Sequence, residues 1–293
     1  MDGAIVIDKP QGWTSHDVVG KTRRILRIKK IGHLGTLDPI ATGVLPLVVG
    51  RATRLAQFYT RADKIYEGVV RFGWATDSYD RAGTPLGPQV DAAVDPARLQ
   101  ESLERFRGEI LQTPPPVSAK KIEGRRAYEM PREAAAAKLE PVNVQVYELE
   151  LLEVKGAEAR LRLHCSGGTY MRSIAHDLGQ AMGCGAHLQE LRRLASGEFE
   201  IDQARTLEQL AALAEEERVF DALIPAARML PRFASVYVDE RTAAQIRNGR
   251  NFPASPFRSE AAARYVKAVT REGTLIAVGE AVLPNVYHPV VVL

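Results

Sequence analysis

Apolar positions along this chain switch repeatedly between the two-residue period of strands and the 3.6-residue period of helices. Ala4–Ile7 is a short apolar run, and Val44–Gly50 (VLPLVVG) is a continuous one that predicts a buried strand. Tyr66–Gly73 alternates. Val142–Val154 and Ala159–Cys165 alternate on either side of Lys155-Gly156, which predicts a long antiparallel hairpin. Helical spacing puts Val18, Val19, Thr22, Ile25 and Leu26 on one face behind a cap at Ser15. That helix runs to about Arg27 and turns Lys21, Arg23, Arg24 and Arg27 outward. Asp95-Pro96 opens a second helix with a buried stripe of Leu99, Leu103 and Phe106. A third is capped by Thr169 and runs to about Met182, with Met171, Ile174, Leu178 and Ala181 inward and Gly183 at its end. His187–Leu194 reads as a helix, and Leu207–Ala214 follows a Thr206/Gln209 capping box.

Strands and helices mix without a regular βαβ alternation, so the fold class expected is α+β, with a mixed, largely antiparallel central sheet and flanking helices. Residues 112–132 are rich in Pro, Lys and Arg with few apolar positions after Val117, which predicts a mobile surface insertion that orders on a ligand. Ile224–Phe233 (IPAARMLPRF) reads as a linker. Ser235–Val238, Tyr265–Val269, Leu275–Leu283 and Val290–Leu293 then predict a small β-rich barrel, with a short helix near Arg241–Arg247 ended by Gly249. The expected division is 1–230 and 231–293.

Composition narrows the class. At 293 residues and 45% hydrophobic content, the chain suits one large globular unit and one small one. No run of about 18 apolar residues exists, so no membrane span is expected. MDGAIVIDKP lacks the basic and apolar regions of a secretory signal. Cys165 and Cys184 stand without C-x-x-C or paired Cys/His spacing, which indicates neither a disulfide framework nor a metal site and suits a cytoplasmic location.

Charge matters through its distribution. Residues 1–230 hold 31 cations and 31 anions, yet Lys21 to Lys30 carries six cations and no acid. A second cluster comprises Lys120, Lys121, Arg125 and Arg126, while Glu215–Glu217 is acidic. Such clustering predicts phosphate contacts at Lys21, Arg24, Lys29 and Lys30 and at the second group.

Immediately after the first cluster comes Gly32–Gly43 (GHLGTLDPIATG), which places one carboxylate, Asp38, in a polar turn ahead of an apolar strand. Its glycines permit tight bends, and Pro39 pushes Asp38 out of the α region, so the carboxylate projects. With KPQGWTS at Lys9–Ser15, KIY at Lys64–Tyr66, TDSYDRAG at Thr76–Gly83, SAK at Ser118–Lys120 and GTYMR at Gly168–Arg172, the pattern resembles the bacterial tRNA pseudouridine-55 synthases. The motifs fall in that family's order and span residues 4 to 230.

The resemblance implies the pseudouridine synthase fold, a C-terminal RNA-binding PUA-like unit, and isomerisation of a tRNA T-loop uridine without a cofactor or an obligate protein partner. It assigns the catalytic carboxylate to Asp38 and an ion-pairing arginine to Arg172, and physically a guanidinium holds a carboxylate ionised and oriented. It also implies that Tyr66 stacks on the flipped uracil and that His33 packs against the RNA loop. Lys9 is expected near the RNA in a structural role, and Tyr170 and Asp80 are expected to support the site. Val117 departs from the usual P-P-x-Y-S-A pattern, which removes a tyrosine's packing there. Two other readings share these residues: an RNA-folding protein that needs no catalysis, and a synthase acting on ribosomal RNA or in a guide-RNA particle.

Overall fold

The computed structural model describes residues 1–118, 121–122, 125–126, 139–254 and 263–293. Strand β1 (Gly3–Lys9) leads into a loop that ends at Thr14. The Thr14 hydroxyl accepts the Asp17 N–H at 3.1 Å, and the Asp17 carboxylate accepts the Thr14 N–H at 2.9 Å. This capping box starts α1 (Ser15–Leu26) and makes Thr14 the cap in place of Ser15, whose side chain turns inward instead. Val18, Val19 and Thr22 are buried as expected, and Ile25 and Leu26 pack at the margin of the core. Strands β2 (Ile31–His33) and β3 (Ala41–Val49) flank the Asp38 loop and pair antiparallel with each other.

A 3-10 stretch, Gly50–Tyr59, leads to β4 (Lys64–Phe72), where every second residue is buried. Asp95 caps α2 (Pro96–Leu103), which is followed by the edge strand β5 (Gly108–Gln112). Two short strands, β6 (Lys121–Ile122) and β7 (Arg125–Arg126), pair with each other. Lys120 lies outside the described residues, as do 119, 123–124 and 127–132 of the segment 112–132 in which mobility was expected. The first part of that segment, residues 112–118, is instead packed against the next helix. The hairpin of β8 (Val142–Lys155) and β9 (Glu158–Cys165) forms where alternation placed it.

Helix α3 (Met171–Met182) begins after Tyr170, not Thr169, and ends at Gly183 with φ +78°. Ala186–Ser196 is strand β10, not the helix expected over His187–Leu194. Bulges between Leu188 and Glu190 and between Arg193 and Ala195 shift the alternation, so Leu188 and Leu191 both face the core while standing three residues apart. That spacing imitates a helix. Strand β11 (Phe199–Glu200) folds back on β10, and α4 (Leu207–Glu215) carries the expected Thr206/Gln209 box. The segment read as a linker is packed: β12 (Ile224–Pro225) pairs with β1, and Ala226, Met229 and Leu230 are buried.

The large sheet has ten strands along the path β12-β1-β3-β10-β4-β9-β8-β5, with β2 on β3 and β11 on β10. Its strand pairs are antiparallel except β3 with β10. That parallel pair sets Leu191, Arg192 and Arg193 beside Ala41, Thr42 and Gly43, so the chain just after Asp38 meets the middle of the sheet. Leu99, Leu103, Ile174 and Leu178 from α2 and α3 pack on Val70, Phe72, Leu149 and Leu161.

The small unit holds β13 (Ala234–Tyr237), α5 (Glu240–Arg247), β14 (Phe252–Pro253), β15 (Tyr265–Val269), β16 (Leu275–Leu283) and β17 (Val286–Val292). Its sheet order is β13-β15-β16-β17-β14. Val278, Val291 and Leu293 share a core with Leu55, Phe199 and Met229 of the large unit. Buried Lys267 adds hydrogen bonds to the carbonyls of Ala227 at 3.0 Å and Met229 at 2.9 Å.

Gly43 gives the fold a direct test. It adopts φ +96°, and a Cβ there would lie 2.2 Å from the Arg193 carbonyl oxygen. Gly43→Ala must strain the backbone and push β3 from β10, at an expected cost of about 3 kcal/mol or more. A denaturant midpoint equal to that of the parent would contradict this packing.

Candidate active site

The Asp38 loop is held from both sides. Buried Ser15 donates through Oγ to the Leu37 carbonyl at 3.2 Å and accepts the Leu37 N–H at 2.9 Å. The Gly12 N–H donates to the Pro39 carbonyl at 2.8 Å, and Gln11 Nε2 donates to that of Ile40 at 3.3 Å. Lys9 is fully buried, and its ammonium donates to the carbonyls of Pro10 at 3.0 Å and Trp13 at 2.6 Å. Burial brings that ammonium down to about 8 against the opposing pull of Asp38, with Arg193 adding to the fall. Lys9 therefore braces the KPQGWTS loop that in turn seats the Asp38 turn. Arg193, on β10, closes the other side: Nε donates to the Val44 carbonyl at 2.7 Å, Nη2 to Gly35 at 3.1 Å and Nη1 to Thr36 at 3.4 Å.

Arg172 reaches Asp38 from the first turn of α3, where a cation opposes the helix dipole. Its Nε lies 2.9 Å from Asp38 Oδ2, and Nη2 donates to Oδ1 at 3.1 Å. The Arg172 side chain is 4% exposed and that of Asp38 34%, so the pair has a buried cation and a carboxylate open to the hollow. Nη1 donates to the carbonyls of Ser78 at 3.1 Å and Val117 at 2.8 Å, and lies 3.8 Å from Asp80 Oδ2. Asp80 is itself fixed, since its Oδ1 accepts from Ser78 Oγ at 2.7 Å and from the Ala82 N–H at 2.9 Å. The guanidinium is thus tied to four groups from three segments and has one orientation.

Asp38, Tyr66, Tyr170 and Arg172 line one hollow of about 260 Å³. Tyr66 is buried on β4 opposite Arg193 in the β10 register. Burial raises its hydroxyl above the usual phenol range, with the Arg193 charge pulling the other way. Tyr170 is clamped at its backbone by Gln112, which accepts its N–H at 2.8 Å and donates to its carbonyl at 3.1 Å. Asp80 sits behind Arg172 rather than in the hollow. His33 is on β2, where its ring meets His16 edge to face at 5.5 Å, and it does not line the hollow.

Lys21, Arg24, Lys29 and Lys30 are exposed, and the first two border a groove shared with Glu215 and Glu217 of the α4 end. Lys121, Arg125 and Arg126 lie in the β6–β7 pair. Among the described residues no group of three or more His, Cys, Asp or Glu could hold a metal ion, and no helix is long and apolar enough to cross a membrane.

Sequence reasoning missed Lys64, Arg193 and Gln112. Lys64 was within reach, because KIY on an alternating strand puts Lys64 and Tyr66 on one face. Arg193 was hidden by the helical reading of its strand. Gln112 and the Val117 carbonyl were hidden by reading their segment as loose.

Residues 23–171 match the model of the TruB family pseudouridylate synthase N-terminal domain, and residues 172–230 match the tRNA pseudouridylate synthase B C-terminal domain. A tRNA pseudouridine synthase B of Solibacter usitatus is 71% identical over 293 residues, covering all of both chains. One of Aquifex aeolicus is 46% identical over 211 residues, 71% of this chain and 73% of that protein. Among solved structures, the chain resembles one from a Cbf5-Nop10-Gar1 complex with a TM-score of 0.74 at 29% identity, covering 97% of this chain and 79% of that one. A chain of an H/ACA RNP bound to a substrate RNA containing 2′-deoxyuridine gives 0.73 at 26% identity, covering 99% and 84%. The likeness extends over both sheets, and the small curled one is PUA-like. A mixed sheet with one carboxylate, its arginine and a tyrosine around a single hollow, together with these matches, means that the chain belongs to the TruB family of pseudouridylate synthases.

Proposed function

We propose that this protein isomerises the T-loop uridine of tRNA, at tRNA position 55, to pseudouridine, with Asp38 as the nucleophile or base at the ribose. The observation that carries this reading is the Asp38–Arg172 pair facing Tyr66 across one hollow. The reaction breaks the N1–C1′ bond, turns the uracil and joins C5 to C1′. It needs an ionised group beside the glycosidic carbon, and a carboxylate meets that need at neutral pH. Arg172 holds the carboxylate in one orientation from the buried side, leaving its outer face to the sugar. No redox carrier or energy donor enters, since product and substrate are isomers.

A base in a folded RNA loop must be extruded at a cost of a few kcal/mol. Stacking on Tyr66 returns about 1–3 kcal/mol of it. Phosphates are met by the exposed cations Lys21, Arg24, Lys29 and Lys30, by Lys120, Lys121, Arg125 and Arg126, and by the PUA-like unit, which extends the RNA-binding surface. His33 and Lys9 serve this recognition from outside the hollow, His33 at the RNA loop and Lys9 through the loop it braces. On this reading the catalytic unit spans 1–230 and the RNA-binding unit 231–293, and the protein works on tRNA in the cytoplasm without a protein partner.

Chemical mapping of pseudouridine in unmodified tRNA, before and after incubation with the purified protein, tests the reading. A new signal at the T-loop uridine is expected. A signal confined to other positions, or none, would refute it.

A further inference from the structure

Two cations at the floor of the hollow have no carboxylate to answer them. Arg193 is 1% exposed and Lys64 is 8% exposed, and both line the hollow. Arg193 spends its donors on three backbone carbonyls, and Lys64 donates to the Ala62 carbonyl. Among the described residues neither has a carboxylate within ion-pair distance. The two converge, because a methyl group at Gly35 would lie 3.7 Å from Arg193 Nη1 and 4.0 Å from Lys64 Cε. Asp38, the one carboxylate among the described residues that line the hollow, is already matched by Arg172. The hollow therefore carries surplus positive charge, and burying an unmatched charge is costly unless something offsets it.

We infer that Lys64, seconded by Arg193, stabilises the negative charge that the uracil carries once its bond to C1′ has broken. The inference rests on the reaction proposed above. When N1–C1′ breaks, the bonding pair leaves with the base, which becomes a uracilate anion. C1′ is taken by an oxygen of Asp38, or the sugar gives up its 2′ proton and later regains it. After the base turns, an electron pair at C5 forms the new bond to C1′, any C1′–O bond to Asp38 breaks with its pair returning to the carboxylate, C5 loses its proton to solvent and N1 gains one. Between the two bond changes the base is an anion beside two buried cations, whose fixed positive charge is screened little by water. The cations lie beside Tyr66, the proposed stacking partner of the base. Tyr66 pairs with Arg193 and Lys64 with Ser196 across the same two strands, so the charge is placed for the base rather than for a phosphate at the rim.

Lys64 is the testable member, because removing Arg193 would also free the carbonyls that hold the Asp38 loop. The groups facing Lys64 are Arg193 on β10, Cys165 on β9, Asp63 and Tyr66 on its own segment, and Asp38 across the hollow. Burial, then Arg193, brings its ammonium down to about 8. Its charge is present below that pH and lost above it. Lys64→Met keeps the side chain out to Cε and removes a buried charge, so the fold should tolerate it, which a denaturant midpoint checks.

The experiment measures single-turnover pseudouridine formation in tRNA at saturating enzyme, with tRNA affinity measured separately. Lys64→Met should slow the step about a hundredfold while tRNA affinity stays at the parent value. The parent rate should fall as pH rises through about 8, and Lys64→Arg should keep most of the rate and lose that fall. A parent-like rate in Lys64→Met, or an alkaline fall unchanged in Lys64→Arg, overturns the inference. So does a defect in Lys64→Met that appears in tRNA affinity alone, which would make Lys64 a phosphate contact. A parent protein that forms no pseudouridine would instead overturn the proposed function.

Discussion

Asp38→Asn is expected to abolish turnover, with a loss on the order of 10⁴-fold or more, while leaving fold and tRNA binding close to those of the parent. The substitution is isosteric and changes only charge and one set of donors. The loop stays in place because its anchors, Ser15, Gly12 and Arg193, bond to backbone atoms and not to the Asp38 side chain. A neutral amide neither attacks C1′ nor takes a proton from the sugar, so both routes fail together. Release of tritium from tRNA labelled at uridine C5 measures the loss, and filter binding measures the complex. Turnover within about tenfold of the parent would remove Asp38 from the mechanism, since the two-route argument allows no such residue.

Arg172→Lys should be nearly as damaging as Arg172→Met, with turnover reduced on the order of 10³-fold in each. An ammonium is a point charge. It cannot pair with both Asp38 oxygens and also reach the carbonyls of Ser78 and Val117, which come from segments more than fifty residues from Arg172 in the chain. Stability should fall as well, by about 3 kcal/mol in Arg172→Met, at the low end for breaking a buried pair because Asp38 keeps access to solvent. Urea denaturation and single-turnover rates measure the two effects separately. A fully active Arg172→Lys would mean that only charge, not the fork of the guanidinium, matters at this position.

These two residues also show how far local reasoning reached. The Asp38 turn was legible because it is built from neighbours: glycines, a proline and a following apolar run act within a dozen residues, while the role expected of its carboxylate came from the family resemblance. The α1 face, the β8–β9 hairpin and the Thr206/Gln209 cap were legible on the same ground, since each period or cap is decided by adjacent side chains. Arg172 was assigned from its motif, yet nothing near it in sequence announces Ser78, Val117 and Asp80 as partners. Strand β10 was misread as a helix because its bulges place Leu188 and Leu191 at helical spacing, and a bulge exists only with a partner strand to be out of step with. With β10 went Arg193, whose burial depends on the parallel pairing to β3.

The packing of 112–118 was missed for a related reason. Proline-rich chain looks loose in isolation, but Gln112, Thr113 and Val117 become ordered by bonding to Tyr170, Ser173 and Arg172 of α3. Short-range patterning was therefore enough to specify the α+β class, most of the element boundaries and the turn that presents Asp38, because backbone propensity and side-chain period act between neighbours. The unmatched charge of Lys64 and Arg193, and the four-way hold on Arg172, emerged from pairings across scores of residues, which carry no local signature until the sheet brings them together.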